Sequence, residues 1–158
     1  MPSDQELLEL AGKLISEAFV GVLTTVDEHG APFSRLMGAV ADSEGLHRLY
    51  SLSAKDTRKV RQIEKNRAIS WVFSIPPYDT TVMLRGLARR AETPSVPQPA
   101  WDQLADWAKP YGANVLTDDS HHSFAVIISN IQTLEIVAPK LGFKAPHTIK
   151  LDRFADEE

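Results

Sequence analysis

The chain has no cysteine, which excludes disulfide cross-links, thiolate chemistry and any cysteine-ligated metal centre. It lacks an apolar run long enough to cross a bilayer, and its start does not join a basic segment to an apolar one. Neither a spanning helix nor a secretory leader is expected, and the expected compartment is the cytoplasm. There is no phosphate-binding P-loop, no GxSxG elbow and no GxGxxG fingerprint. Internal repeats and low-complexity segments are also missing.

What is present is ordinary globular composition, with 43% hydrophobic and 24% charged residues over 158 positions. That length suits one domain, residues 1–158, able to bury a core without staples. The formal net charge of −4 argues against nonspecific binding to nucleic acid, so no nucleic-acid partner is expected.

Ser3-Asp4-Gln5-Glu6 has capping-box spacing and leads into Leu7, Leu8, Ala11, Leu14, Ile15 and Ala18 at helical intervals. Phe19–Val26 and Ala31–Val40 read as strands joined by the turn Asp27-Glu28-His29-Gly30. Alternation in the second strand puts Arg35 on one face with Phe33 and Met37. A charge there must reach water or hold an anion. After the turn Ala41–Gly45 comes a strand through Leu52, then a helix ending near Asn66. Ala68–Ser74 and Thr80–Glu92 are two more strands, separated by the proline loop 76–79. Gly86, inside the second, marks a bulge, a barrel corner or a close approach. A proline-rich connector (93–99), a short helix (100–109) and a loop (111–123) follow. Phe124–Ile131 and Thr133–Ala138 read as two final strands, and 139–158 as a polar tail. The expected architecture is mainly β (α+β): an antiparallel split β-barrel of six to seven strands, core about 19–138, with flanking helices.

The stretch Leu49–Asn66 organises the rest. A strand gives way to short polar residues and then to a helix starting near Asp56 or Thr57, both good N-caps. The free amides and positive dipole end of such a helix attract anions. Lys55, Arg58 and Lys59 flank this start, and Ser51, Ser53 and Thr57 add hydroxyls. The pattern supports a phosphate clamp; the competing reading is the solvated face of a surface helix, with Val60 and Ile63 turned to the core. His121-His122, beside Asp118-Asp119, lacks helical metal-ligand spacing and reads as a polar loop, so no metal is expected. Asp27, Glu28, Asp42 and Glu44 all lie in turns, and no catalytic acid–base pair is identified.

Three local patterns carry a family resemblance: Arg35-Leu36-Met37; Leu49-Tyr50-Ser51 followed by Thr57-Arg58-Lys59 and Ile63-Glu64-Lys65-Asn66; and Val82-Met83-Leu84-Arg85-Gly86-Leu87-Ala88. From Phe19 to about Glu92 the chain resembles the pyridoxamine 5'-phosphate oxidase-like family of FMN-binding split β-barrels, in its general-stress-protein branch. The resemblance implies that Arg35, Thr57, Arg58 and Lys59 hold the FMN phosphate. It implies that Leu36, Met37, Tyr50 and Ser51 lie along the flavin and ribityl chain, partly through backbone groups. Thr81 stands where parent enzymes carry a glutamine that hydrogen-bonds the flavin ring. A homodimer with cofactor clefts between subunits is implied too, and a flavin-dependent oxidoreductase acting on a small-molecule substrate or electron donor.

The chain departs from the vitamin oxidases in its tail, where Gly142-Phe143-Lys144-Ala145-Pro146-His147 does not match their Arg-Leu-His motif, and at Val40, which replaces a lysine. Pyridoxamine phosphate is therefore not the expected substrate. Alternatives are a non-catalytic flavin-binding stress protein, a barrel that takes the deazaflavin F420, and a nucleic-acid-binding barrel using the basic helix.

Overall fold

Ser3 opens the first helix with the reciprocal bonds its spacing predicts. Its Oγ accepts from the Glu6 amide (3.2 Å), and Glu6 Oε2 accepts from the Ser3 amide (2.8 Å). In this computed structural model, which describes residues 1–91, 96–108 and 124–151, helix α1 runs Asp4–Ala18 and buries Leu7, Ala11, Leu14 and Ile15. The expected loop 111–123, with its histidine pair, lies outside the described residues. So do parts of the connector and the last seven positions.

Eight described strands follow: β1 (Val20–Val26), β2 (Pro32–Gly38), β3 (Val40–Asp42), β4 (Gly45–Ala54), β5 (Ala68–Ser74), β6 (Thr81–Ala91), β7 (Phe124–Ala138) and β8 (Phe143–Lys150). Helix α2 (Arg58–Lys65) joins β4 to β5, and α3 (Gln98–Ala108) lies between β6 and β7. Every pairing is antiparallel, in the order β2-β1-β5-β6-β7-β4-β3, with β8 added to β7. The sheet curls into a split β-barrel, as the strand pattern predicts.

Three boundaries differ from the sequence reading. Ala39 separates β2 from β3, its amide bonding to the Phe19 carbonyl at 2.9 Å. The two expected final strands are one, β7, because Asn130 is not a turn. Its first half pairs with β4 and its second half with β8. At this change of partner the β6–β7 register shifts opposite Arg85 and Gly86, where Gln132 of β7 is the extra, unpaired residue. A Cβ on Gly86 would overlap the Asn130 carbonyl, so the glycine permits that approach. Finally, the polar tail contains a 3-10 turn (Pro139–Leu141) and β8, which buries Phe143 and Ile149. An edge strand tolerates Pro146 and solvent-facing lysines, which is why its sequence reads as polar.

The two faces of the sheet are covered unequally. The inner face carries the main core, from Leu23, Trp71, Leu84 and Leu134, closed by α1 and by Val60 and Ile63 of α2. A second core forms where α3 covers Tyr50, Leu52, Val126 and Ile128. Trp107 packs on Phe19 there, with ring centroids 5.5 Å apart. Outward residues of β2, β1, β5 and β6 stay uncovered: Leu36 is 71% exposed, and Val20 and Val72 are also exposed.

Candidate anion-binding site

Strand parity decides which residues of β2 face α2. Arg35 pairs in register with Leu23, and Phe33 with Thr25, placing Arg35, Phe33 and Met37 on the inner side. Arg58, the first residue of α2, reaches that side: its guanidinium carbon lies 4.4 Å from the Phe33 ring centroid. Lys59 is close enough to Arg35 for their charges to interact. Thus Arg35, Arg58 and Lys59 converge from a strand and a helix far apart in sequence. Among the described residues no carboxylate lies within ion-pairing distance of any of the three.

That accumulation of charge bears on the side chains themselves. Burial, and then the charge of Arg58, lowers the proton affinity of Arg35. Burial, followed by repulsion from Arg35, holds Lys59 below its ordinary value. Arg35 is thus repelled by both Arg58 and Lys59, and three cations with no carboxylate partner among the described residues make a candidate site for an anion.

The helix start adds donors in a way that differs from the expectation. Thr57 is the N-cap residue of α2, yet its side chain caps no amide. Its Oγ1 lies instead 3.1 Å from Ser53 Oγ. The first-turn amides are therefore not taken by their own cap. Ser51, two residues before Ser53, has a buried Oγ with no hydrogen-bond partner among the described residues. An orphaned hydroxyl of this kind fits a ligand or water atom. This donor set, three cations with free amides and hydroxyls, fits a phosphate ester.

The other residues singled out from sequence lie as follows. Met37 is buried in the main core, and Leu36, on the opposite face, is exposed. Tyr50 sits in the second core and donates from its hydroxyl to Asp42 Oδ2 at 2.7 Å; burial first, then Asp42, pushes its pKa up to about 12. Thr81 begins β6, three strands from β2, or about 14 Å at the usual strand spacing. One chain does not bring Thr81 to the cationic cluster. The basic run of α2 proves divided. Arg61 donates to the Asp56 carbonyl and Lys65 pairs with Glu28, so part of the run is solvated surface as the competing reading holds.

Two residues absent from the sequence reading join the site. Thr25, fully buried, accepts from Arg35 Nη1 at 2.8 Å and donates to Gln62 Oε1 at 2.6 Å. Their signal was available: Thr25 shares the core-facing parity of Leu23, and Gln62 adjoins the buried Ile63. Among the described residues no group of three or more His, Asp or Glu side chains could hold a metal, and no helix is long and apolar enough to cross a membrane.

No curated protein matches in sequence. Among solved structures, the chain is similar to a Clostridium acetobutylicum protein related to general stress protein 26 of Bacillus subtilis, of the pyridoxinephosphate oxidase family. Identity is 19%, coverage 96% of this chain and 99% of that one, and the TM-score 0.73. An F420 reductase matches with 19% identity, coverage of 77% and 93%, and a TM-score of 0.60. A heme-binding protein from Mycobacterium smegmatis matches with 18% identity, 98% of this chain, 61% of that one, and a TM-score of 0.73. At these identities the likeness is one of fold. The family itself is fixed by sequence, since the pyridoxamine 5'-phosphate oxidase model matches residues 7–138, from Leu7 in α1 to Ala138 at the end of β7, and the chain belongs to that family.

Proposed function

We propose that this protein binds FMN through its phosphate at Arg35, Arg58 and Lys59 and works, as a homodimer, as a flavin-dependent oxidoreductase on a small molecule. The observation that carries this reading is the convergence of three cations with no carboxylate partner among the described residues, beside the uncapped first turn of α2. The bound flavin would supply the redox chemistry, accepting and returning electrons at its ring. The chain's own groups would bind and orient: the cations and amides at the phosphate, and Ser51 toward the polyol chain. Pyridoxamine phosphate oxidation is not part of the proposal. His147, in the tail where the vitamin oxidases carry their substrate motif, is held by Asp4 at 2.9 Å and packs against Phe143.

The homodimer is supported by the uncovered face. Register aligns Leu36, Val22, Val72 and Met83 as one apolar row across four strands. A cleft of about 670 Å3 lies elsewhere, between α1, the β3–β4 turn and the end of β8.

A second reading keeps the cluster and replaces FMN by F420, favoured by the fold shared with an F420 reductase. The test is the absorption spectrum of protein purified without added cofactor, with mass identification of anything released, followed by side-by-side titration of FMN and F420. A flavin spectrum and tighter FMN binding support the first reading; preference for F420 selects the second. Colourless protein that takes up neither overturns both. Bound FMN that no donor reduces faster than free flavin would leave a non-catalytic flavin-binding protein.

A further inference from the structure

Arg35 is aimed by a buried relay. Its Nη1 donates both to Thr25 Oγ1 (2.8 Å) and to the Leu23 carbonyl (3.2 Å). Those two bonds consume both hydrogens of that nitrogen. Thr25 spends its one hydrogen on Gln62 Oε1, at 2.6 Å. The direction of the chain is therefore fixed, from Arg35 to Thr25 to Gln62. Thr25 is 0% exposed and Gln62 7%, so water does not compete for these bonds. Gln62 belongs to α2, the helix whose first two residues are Arg58 and Lys59. A single buried hydroxyl thus ties the strand-borne cation to the helix that carries the other two.

We infer that Thr25 and Gln62 are positioning residues for anion recognition: they lock Nη1 of Arg35 so that its remaining edge, Nε and Nη2, is left for bidentate contact with a phosphate. The inference rests on the anion-site reading above and names the parts that set its geometry. Among the described residues neither Nε nor Nη2 of Arg35 makes a hydrogen bond within the chain. A bidentate arginine contact is geometrically demanding, so a guanidinium free to rotate binds less well than a fixed one. A buried threonine and glutamine serving only to hold the fold would be replaceable, as a pair, by apolar residues of similar size. That difference separates positioning from structure.

The experiment compares the full chain with T25V, T25S and the double variant T25V/Q62L. Each is titrated with FMN, with riboflavin, which lacks the phosphate, and with inorganic phosphate followed by its effect on Tm. T25V orphans both Gln62 Oε1 and one Nη1 hydrogen of Arg35 and lowers Tm; the double variant removes the orphaned acceptor and recovers part of that loss. On this inference the double variant still binds FMN about tenfold more weakly, the scale of one hydrogen bond to a charged group. Riboflavin affinity stays within about twofold, because it does not use Arg35, and T25S retains wild-type FMN affinity. Should T25V fail to fold, the double variant carries the comparison. A double variant that binds FMN as tightly as wild type, or that loses FMN and riboflavin equally, overturns the positioning role while the FMN reading stands. If the wild type ignores FMN but gains Tm from phosphate, the FMN reading fails and the relay is judged on the phosphate response alone. A wild type that responds to neither overturns both.

Discussion

The guanidinium of Arg58 lies over the ring of Phe33, 4.4 Å from its centroid, and this contact ties the first turn of α2 to the strand that carries Arg35. The ring holds the cation without neutralising it, as a carboxylate would. Replacing Phe33 by leucine keeps an apolar contact and removes the attraction of the ring face. At an exposed site that attraction is worth about 0.5–1 kcal/mol, so FMN affinity should fall about threefold. Replacing Arg58 and Lys59 together by alanine removes two charge-assisted contacts and should cost at least about a hundredfold. Quenching of flavin fluorescence on titration measures both. Unchanged affinity in the double variant would remove the cluster from the cofactor's phosphate.

Lys59 makes binding depend on pH in a definite direction. Its ammonium is held below the ordinary lysine value of 10.5, by burial first and by Arg35 second. A bound phosphate favours the charged form, so affinity should weaken as pH rises through the free-state value of Lys59. That loss should begin at lower pH than for an exposed lysine. K59R, whose charge persists, should flatten the alkaline limb. For the protein without ligand the sign reverses. Between the native value and 10.5 the unfolded chain binds more protons than the folded one, so stability rises with pH across that window. Below the native value the cost of burying the charge is present in full. Phosphate titrations and urea melts over the same alkaline series test the two slopes.

Tyr50 separates what a motif suggests from what the fold does with it. Its neighbourhood in sequence points to the flavin, yet its ring lies in the second core and its hydroxyl bonds to Asp42. Y50F should therefore leave FMN affinity within about twofold while lowering stability by about 1.5 kcal/mol, the scale of one hydrogen bond to a charged acceptor. Denaturant melts and flavin titration read the two quantities separately. A large loss of affinity without loss of stability would return the Tyr50 side chain to the cofactor.

The same contrast explains how far the sequence could be read. Alternation along β2 correctly set Arg35 beside Phe33 and Met37, because strand period is a local property. The basic start of α2 was equally visible. What local pattern cannot supply is the pairing across the sheet. The continuity of β7 through Asn130, the bulge that Gly86 permits near it, and the addition of β8 all depend on partners distant in sequence. Thr25 escapes a local reading for that reason: a threonine in a strand carries no signal until Gln62 and Arg35 arrive on either side of it.

Leu36 provides the test of assembly. It is 71% exposed on the face opposite Arg35, and register continues its row through Val22 and Val72 to Met83. An apolar row of this length on one sheet face is an expected self-association surface. In a two-fold dimer each substitution appears twice at the interface. L36E would bury two carboxylates in place of two leucines, while in a monomer the same side chain would simply meet water. The variant should remain folded, with an unchanged Tm at low protein concentration, and elute at half the mass of the wild type by light scattering. Because the chain has no cysteine, disulfide-linked dimers cannot confuse the measurement. A monomeric wild type would end the dimer proposal; a dimeric L36E would move the interface to another face.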